Sequence, residues 1–308
     1  MAKSTALARL RDAALRSGVP LVSRAIDVTR KRAEDFSRLL LGDDFQDRVE
    51  WLRRRYNSHG GDPFGLDPEV AKGAVTVLSF FHRLYFRTES HGLDNIPTSK
   101  AILVANHSGQ IPIDGAIIGS SLFLDPSPPR VVRAMIEKWA ISLPFASTFF
   151  NKVGQVVGVP ENARRLLNMD ELLLVFPEGV RGIAKPFARR YELQEFGLGF
   201  MRLAIETGAP IVPVAVIGAE EQYINLGNLE WAARLLGIPA FPVVPQILVP
   251  GGQLPLPTKY RIYYGEPLRF GGDPRADDSV IRDKVWLVKQ CIQDMLSRSL
   301  SERQRVFT

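Results

Sequence analysis

Cysteine is almost missing from this chain: Cys291 is the only one in 308 residues. An intrachain disulfide is impossible, and a cysteine-rich metal site is excluded with it. A reduced, cytosolic setting fits that usage. Histidine is scarce too. His59, His82, His91 and His107 are the whole set, and no two stand at metal-ligand spacing. No stretch reaches the ~18 consecutive apolar residues that a bilayer span needs. The start, Met1 to Arg9, has no long apolar core behind its charge and does not read as a secretory signal. The Gly-x-Ser-x-Gly elbow is absent, which counts against a serine esterase. A Gly-rich phosphate loop followed by lysine is also absent, which counts against an ATPase. There is no internal repeat.

What remains is an ordinary globular composition, 45% apolar, fitting one large domain or one domain with a helical appendage. The charge is lopsided. Residues 1–60 hold 13 Lys/Arg against 8 Asp/Glu, a surplus of five within a net charge of +6. A basic appendage on a neutral body suits an anionic membrane surface, or simply a solvated helical face. No aromatic-rich basic stripe supports nucleic acid.

Phe45, Val49, Leu52 and Tyr56 recur at helical spacing, and Leu21, Ala25, Val28, Phe36 and Leu39 suggest an earlier helix. The glycine-rich stretch from Ser58 to Gly65 breaks the pattern. It sets the expected boundary between a basic helical extension, 1–65, and a domain covering 66–308. Asp67-Pro68 reads as an N-cap followed by proline at the first helical position. The helix it opens is apolar all round through Phe86. It is therefore either buried or interfacial.

From about residue 100 short apolar runs alternate with helical segments. The runs are 101–105, 131–135, 172–176 and 211–216. The helical segments lie near 114–124, 139–150, 160–169 and 195–207. This alternation predicts an α/β layer with a largely parallel central sheet flanked by helices. Lys259–Tyr264 reads as a further strand near an edge, and 277–299 as a final helix. The proline-rich segment 238–257 is too broken for a helix or central strand. It could line an acyl pocket, dip into a bilayer or wrap the core.

Two segments carry chemistry. Asn106-His107-Ser108-Gly109-Gln110-Ile111-Pro112-Ile113-Asp114 follows the run ending at Ala105, and Phe176-Pro177-Glu178-Gly179-Val180-Arg181 follows the run ending at Val175–Phe176. Sites in α/β sheets lie beyond the carboxyl ends of strands. A neutral His107 there could take a proton from a hydroxyl, with Asp114 fixing its tautomer. Alternatively, Asp114 merely charges the start of the next helix, with Pro112 in its first turn. Gly179 permits a tight turn, and Arg181 offers a guanidinium fork to phosphate. Glu178 could bind a hydroxyl or hold Arg181. Lys185, Arg189 and Arg190 make this loop basic, which suits a phosphate-bearing substrate.

On these motifs the chain resembles the glycerophospholipid acyltransferases, the PlsC-like lysophosphatidic acid acyltransferase superfamily, from about Gly92 to Phe270. Ala209-Pro210-Ile211-Val212-Pro213-Val214-Ala215 resembles the family's last, proline-containing strand. Gly154-Gln155-Val156-Val157 stands at a second binding motif without its usual phenylalanine, aspartate and arginine, leaving Asn162, Arg164 and Arg165 as substitutes. The resemblance implies direct transfer of a fatty acyl group from acyl-CoA or acyl carrier protein to a lipid hydroxyl. It implies His107 as base and Asp114 as its partner. Asn106, Glu178, Gly179, Arg181 and Lys185 would bind substrate. It implies no cofactor and a peripheral place on the cytoplasmic face of a membrane.

Six residues separate His107 from Asp114, where the family usually has four. The His-Ser-Gly and Pro-Ile-Asp combination is similar to the diacylglycerol acyltransferase-related branch, which acylates neutral acceptors such as diacylglycerol or long-chain alcohols. A second class of reading is a non-catalytic lipid-binding protein on the same scaffold. Geometry separates the two: the enzyme reading requires His107 and Asp114 within hydrogen-bond reach (~2.6–3.2 Å).

Overall fold

The computed structural model describes residues 31, 34–57, 61–108, 113–137, 146–236, 240–303 and 305–307. The chain divides into two compact units, Met1–Gln46 and Asp47–Thr308. In the first, residues 34–41 are helical, and Phe36 and Leu39 are more than half exposed. The expected turns at Leu21, Ala25 and Val28 lie outside the described residues.

Helix α1 (Phe45–Asn57) leads into the larger unit. There Val49, Leu52 and Tyr56 are buried, as their spacing requires. Tyr56 donates its hydroxyl hydrogen bond to Glu171 Oε2 at 2.8 Å. Helix α2 (Pro68–Phe80) starts as its sequence dictates: Asp67 Oδ1 accepts from the amides of Glu69 (2.9 Å) and Val70 (3.3 Å). A π-helical turn, Phe81–Tyr85, extends it. Phe86 beyond is fully buried, while Phe80 stays exposed.

Among the described residues seven strands form one sheet in the order β1-β7-β6-β2-β5-β3-β4. They are β1 (Glu89–His91), β2 (Ala101–Ala105), β3 (Val132–Ile136), β4 (Val156–Val157), β5 (Leu172–Val175), β6 (Ile211–Ile217) and β7 (Arg261–Tyr264). Pairing is parallel except between β6 and β7. β7 lies one strand in from the edge that β1 forms. The two shortest strands, β1 and β4, give no run long enough to read from sequence.

Helices cover both faces, which is why the central strands are apolar on both sides. Ile102 and Val104 of β2 point into a core built with α5 (Pro160–Asn168), α7 (Gly199–Thr207) and α9 (Asp278–Glu302); here α3 (Ile113–Leu124), α4 (Ala146–Lys152), α6 (Val180–Ile183) and α8 (Glu230–Leu236) complete the numbering. Ala101, Leu103 and Ala105 point to the other core, with Phe86 and with Ile117, Ile118 and Leu122 of α3. Strands β2, β5, β6 and β3 share one direction, so their carboxyl ends lie together. Among the described residues no helix is long and apolar enough to cross a membrane.

Candidate active site

The site forms where β2 and β5 end side by side. Leu103 pairs with Leu174 and Val104 with Val175, so the residues after Ala105 and after Val175 emerge as neighbours. Asn106 sets the exit. Its side-chain amide donates to the Val216 carbonyl (3.0 Å) and accepts from the Val216 amide (2.7 Å). It thus extends the β2–β6 pairing one residue past the strand. It is fully buried and holds backbone, so the expectation of a substrate-binding Asn106 gives way to a structural one.

His107 and Asp114 meet. Nδ1 of the ring lies 2.8 Å from Asp114 Oδ2, across the long spacing. Asp114 is fully buried, and its other bonds come from Ser108 N (2.9 Å), Ser108 Oγ (3.2 Å) and Gly115 N (2.8 Å). A carboxylate accepts only, so Nδ1 carries the proton and the Nε2 lone pair is left for chemistry. The ring stacks on Phe176 with centroids 4.1 Å apart and planes 20° from parallel. Its side chain retains 14% exposure. Burial pulls the imidazole pKa down, but the charge and hydrogen bond of Asp114, with the charges of Glu178 and Glu137, outweigh it and raise the pKa. Pro112, expected in the first turn of α3, lies outside the described residues.

Glu178 is buried, and both its oxygens are occupied. Oε1 accepts from the His107 amide (2.9 Å) and Oε2 from the Gln194 amide (2.7 Å). It clamps the catalytic loop to the 194 loop, and does not contact Arg181. Gly179 has φ +54°, a conformation L side chains rarely adopt, and starts α6. Lys185 is buried as well, 3.0 Å from Glu220 Oε2 and 3.9 Å from Glu178 Oε2. Burial pushes the Glu220 carboxyl up to about 7, against the pull of Lys185 and the Tyr191 amide.

The loop that reads as basic is charge-balanced in space. Arg181, 62% exposed, pairs with Glu195 at 2.9 Å. Arg189 pairs with Glu192 at 2.8 Å. Arg190 lies 3.8 Å from Glu221, which also takes both arms of Arg303 at 2.7 and 2.6 Å. Of the expected acceptor-binding residues, Gly179 and Arg181 reach the surface, whereas Asn106, Glu178 and Lys185 do not. Asn162 donates to the Val157 carbonyl, Arg164 pairs with Glu206, and Arg165 lies over the Phe64 ring. Each is thus already engaged within the protein, Arg164 in an exposed ion pair.

Several site residues escape sequence reasoning. Ser108 fixes Asp114, and Phe176 supports the imidazole. Gly182 packs so closely that an added Cβ would stand 3.0 Å from His107 Cβ. The only sequence hint was their place within or, for Gly182, directly after the two motifs. Among the described residues no group of three or more His, Cys, Asp or Glu is placed to hold a metal ion.

A buried carboxylate orienting an imidazole at the carboxyl end of a parallel sheet is an arrangement able to take a proton from a hydroxyl. Comparison with known proteins names the class. The family profile described as Acyltransferase matches residues 87–217. An uncharacterized protein of Mycobacterium leprae (strain TN) is 37% identical over 266 residues, covering 83% of this chain and 72% of that protein. The DGAT1/2-independent enzyme synthesizing storage lipids of Homo sapiens is 24% identical over 227 residues, covering 74% of this chain and 67% of that protein. The crystal structure of the 1-acyl-sn-glycerophosphate (LPA) acyltransferase PlsC from Thermotoga maritima aligns with a TM-score of 0.48 and 17% identity, over 90% of this chain and 99% of that one. The chain belongs to the acyltransferase family of that profile and is an acyltransferase.

Proposed function

We propose that the protein moves a fatty acyl group from an acyl thioester, acyl-CoA or acyl carrier protein, to a hydroxyl of a glycerolipid at the cytoplasmic face of a membrane. The observation that carries this reading is the 2.8 Å contact between His107 Nδ1 and the fully buried Asp114. With Nδ1–H held by Asp114, Nε2 removes the proton of the acceptor hydroxyl. The alkoxide oxygen attacks the thioester carbonyl, the C–S bond breaks, and the imidazolium returns its proton to the leaving thiolate. Asp114 stabilises the transient cation. Glu178 and Asn106 keep His107 in place from behind.

A specific observation favours a neutral acceptor such as diacylglycerol or a long-chain alcohol over lysophosphatidic acid. Each cation of the 181–190 loop already faces a carboxylate. A phosphate there would have to displace Glu195 from Arg181. The similarity to an enzyme named for synthesizing storage lipids agrees.

The test is thioester release with a panel of acceptors, comparing wild type with His107→Ala. Release should depend on an alcohol and be lost in the variant. Equal rates in both proteins would refute the mechanism. A marked preference for lysophosphatidic acid that disappears in Arg181→Ala would decide against the neutral acceptor.

A further inference from the structure

Arg181 directly precedes Gly182, the residue at which an added Cβ would stand 3.0 Å from His107 Cβ. A guanidinium at that place suits a phosphate carried by an acceptor. It is already taken. Nη1 of Arg181 donates to Glu195 Oε2 at 2.9 Å, with the two side chains 62% and 71% exposed. An exposed pair of this kind adds little to stability. Its plainer effect is to occupy a group that would otherwise bind an anion.

The segment that carries Arg181 also holds Glu195 in place. On one side of Glu195 the Gln194 amide donates to Glu178 Oε2 (2.7 Å). On the other side Phe196 is buried in the core, and the Gly197 amide donates to the Pro177 carbonyl (2.9 Å). Glu178 in turn accepts from the His107 amide (2.9 Å). Residues 177–181 and 194–197 are thus one hydrogen-bonded unit with the catalytic loop. The Glu195 carboxylate meets Arg181 from backbone that is pinned at both flanks. The Glu195 side chain can swing off the guanidinium, but its backbone cannot leave the neighbourhood.

We propose that Glu195 is an acceptor-specificity residue: by occupying Arg181 it selects against acceptors that carry a phosphate and leaves neutral glycerolipids as substrates. A carboxylate and a phosphate compete for the same guanidinium fork. A phosphate that displaced Glu195 would then sit beside the displaced negative charge, and like charges at short range repel. A neutral acceptor meets neither obstacle. The role assigned to Glu195 rests on the acyl-transfer reading above and names the residue that sets its acceptor class.

The experiment compares wild type, Glu195→Gln and the double variant Glu195→Gln/Arg181→Ala. Glutamine keeps the size of the side chain and removes its charge, and a thermal melt shows that each variant is folded. Thioester release is measured with lysophosphatidic acid and with diacylglycerol as acceptors in the same mixed micelles. The ratio of the two kcat/KM values gives the preference for phosphate. That ratio should rise about tenfold or more in Glu195→Gln, the scale of one hydrogen bond to a charged group. It should return to the wild-type value in the double variant. Calorimetric binding of a short-chain, monomeric lysophosphatidic acid should tighten by a similar factor and lose the gain in the same way. An unchanged preference in folded Glu195→Gln would overturn the proposal. A gain that survives the loss of Arg181 would overturn it equally, because it would come from net charge alone. Binding is read without catalysis. Absence of release with every acceptor would therefore refute the acyl-transfer reading, whereas an unchanged affinity would refute the role of Glu195.

Discussion

Gly182 gives the sharpest test of how the catalytic loop is held. A methyl group added there would lie 3.0 Å from His107 Cβ, 3.0 Å from Glu178 Cβ and 3.2 Å from the His107 carbonyl oxygen. Carbon atoms rest at about 3.5–4.0 Å, so Gly182→Ala pushes its neighbours back by roughly half an ångström. Neither neighbour moves freely, because the His107 amide is bound to Glu178 and Glu178 to the Gln194 amide. Helix propensity acts the other way and favours alanine by up to ~1 kcal/mol. Overpacking costs about 1–3 kcal/mol, so net stability should fall by no more than ~3 kcal/mol. The effect on rate is larger. A misplacement of about 1 Å can cost ~100-fold, and half of that shift corresponds to roughly tenfold. The assay is initial-rate thioester release at saturating donor and acceptor, beside a thermal melt. We expect kcat to fall about tenfold with both KM values nearly unchanged. An unaltered kcat in a folded variant would refute the claim that Gly182 sets the position of His107.

Glu178→Gln replaces one charged acceptor by a donor aimed at a backbone amide. It should cost about 1.5–3 kcal/mol, read as a Tm lower by about 3–12 °C; a raised acceptor KM with an unchanged Tm would assign Glu178 to substrate instead. Native Glu220 keeps its proton up to about pH 7, whereas the unfolded carboxyl loses it near ~4.3. The native chain therefore binds more protons in that window, and stability should fall as pH rises through it. In Glu220→Gln that part of the slope should flatten; an unchanged slope would contradict the assignment. Arg181→Ala should alter Tm little, since exposed pairs contribute at most about 1 kcal/mol. A neutral-acceptor enzyme should keep its KM in that variant.

The core of the sheet was legible because β2, β5 and β6 are buried on both faces and write themselves as unbroken apolar runs. The start of α2 was legible because a cap is local chemistry: Asp67 and Pro68 need only their own amides. The two site segments were found for a similar reason, as polar residues clustered at strand ends. What sequence could not give is what long-range pairing decides. The basic loop 181–190 is neutralised by Glu192, Glu195, Glu220 and Glu221, which arrive from other turns. Glu178 and Lys185 looked like ligands and became buried supports once the 194 and 220 loops closed over them. Asn106 completes a strand pairing with Val216, across 110 residues of chain. The six-residue spacing between His107 and Asp114 also looked unfavourable along the chain, yet Asp114 reaches the imidazole from the start of α3.

The central claim is that His107, oriented by Asp114, is the base for acyl transfer, and the pH dependence of kcat/KM tests it most directly. In wild type, activity should rise with pH through a midpoint above the ordinary imidazole value of about 6.5, because the carboxylates around His107 raise its pKa despite burial. Asp114→Asn removes the main raising charge while burial remains, so the midpoint should move down and kcat should fall. A wild-type profile without that inflection, or a midpoint that stays put in Asp114→Asn, would contradict the account.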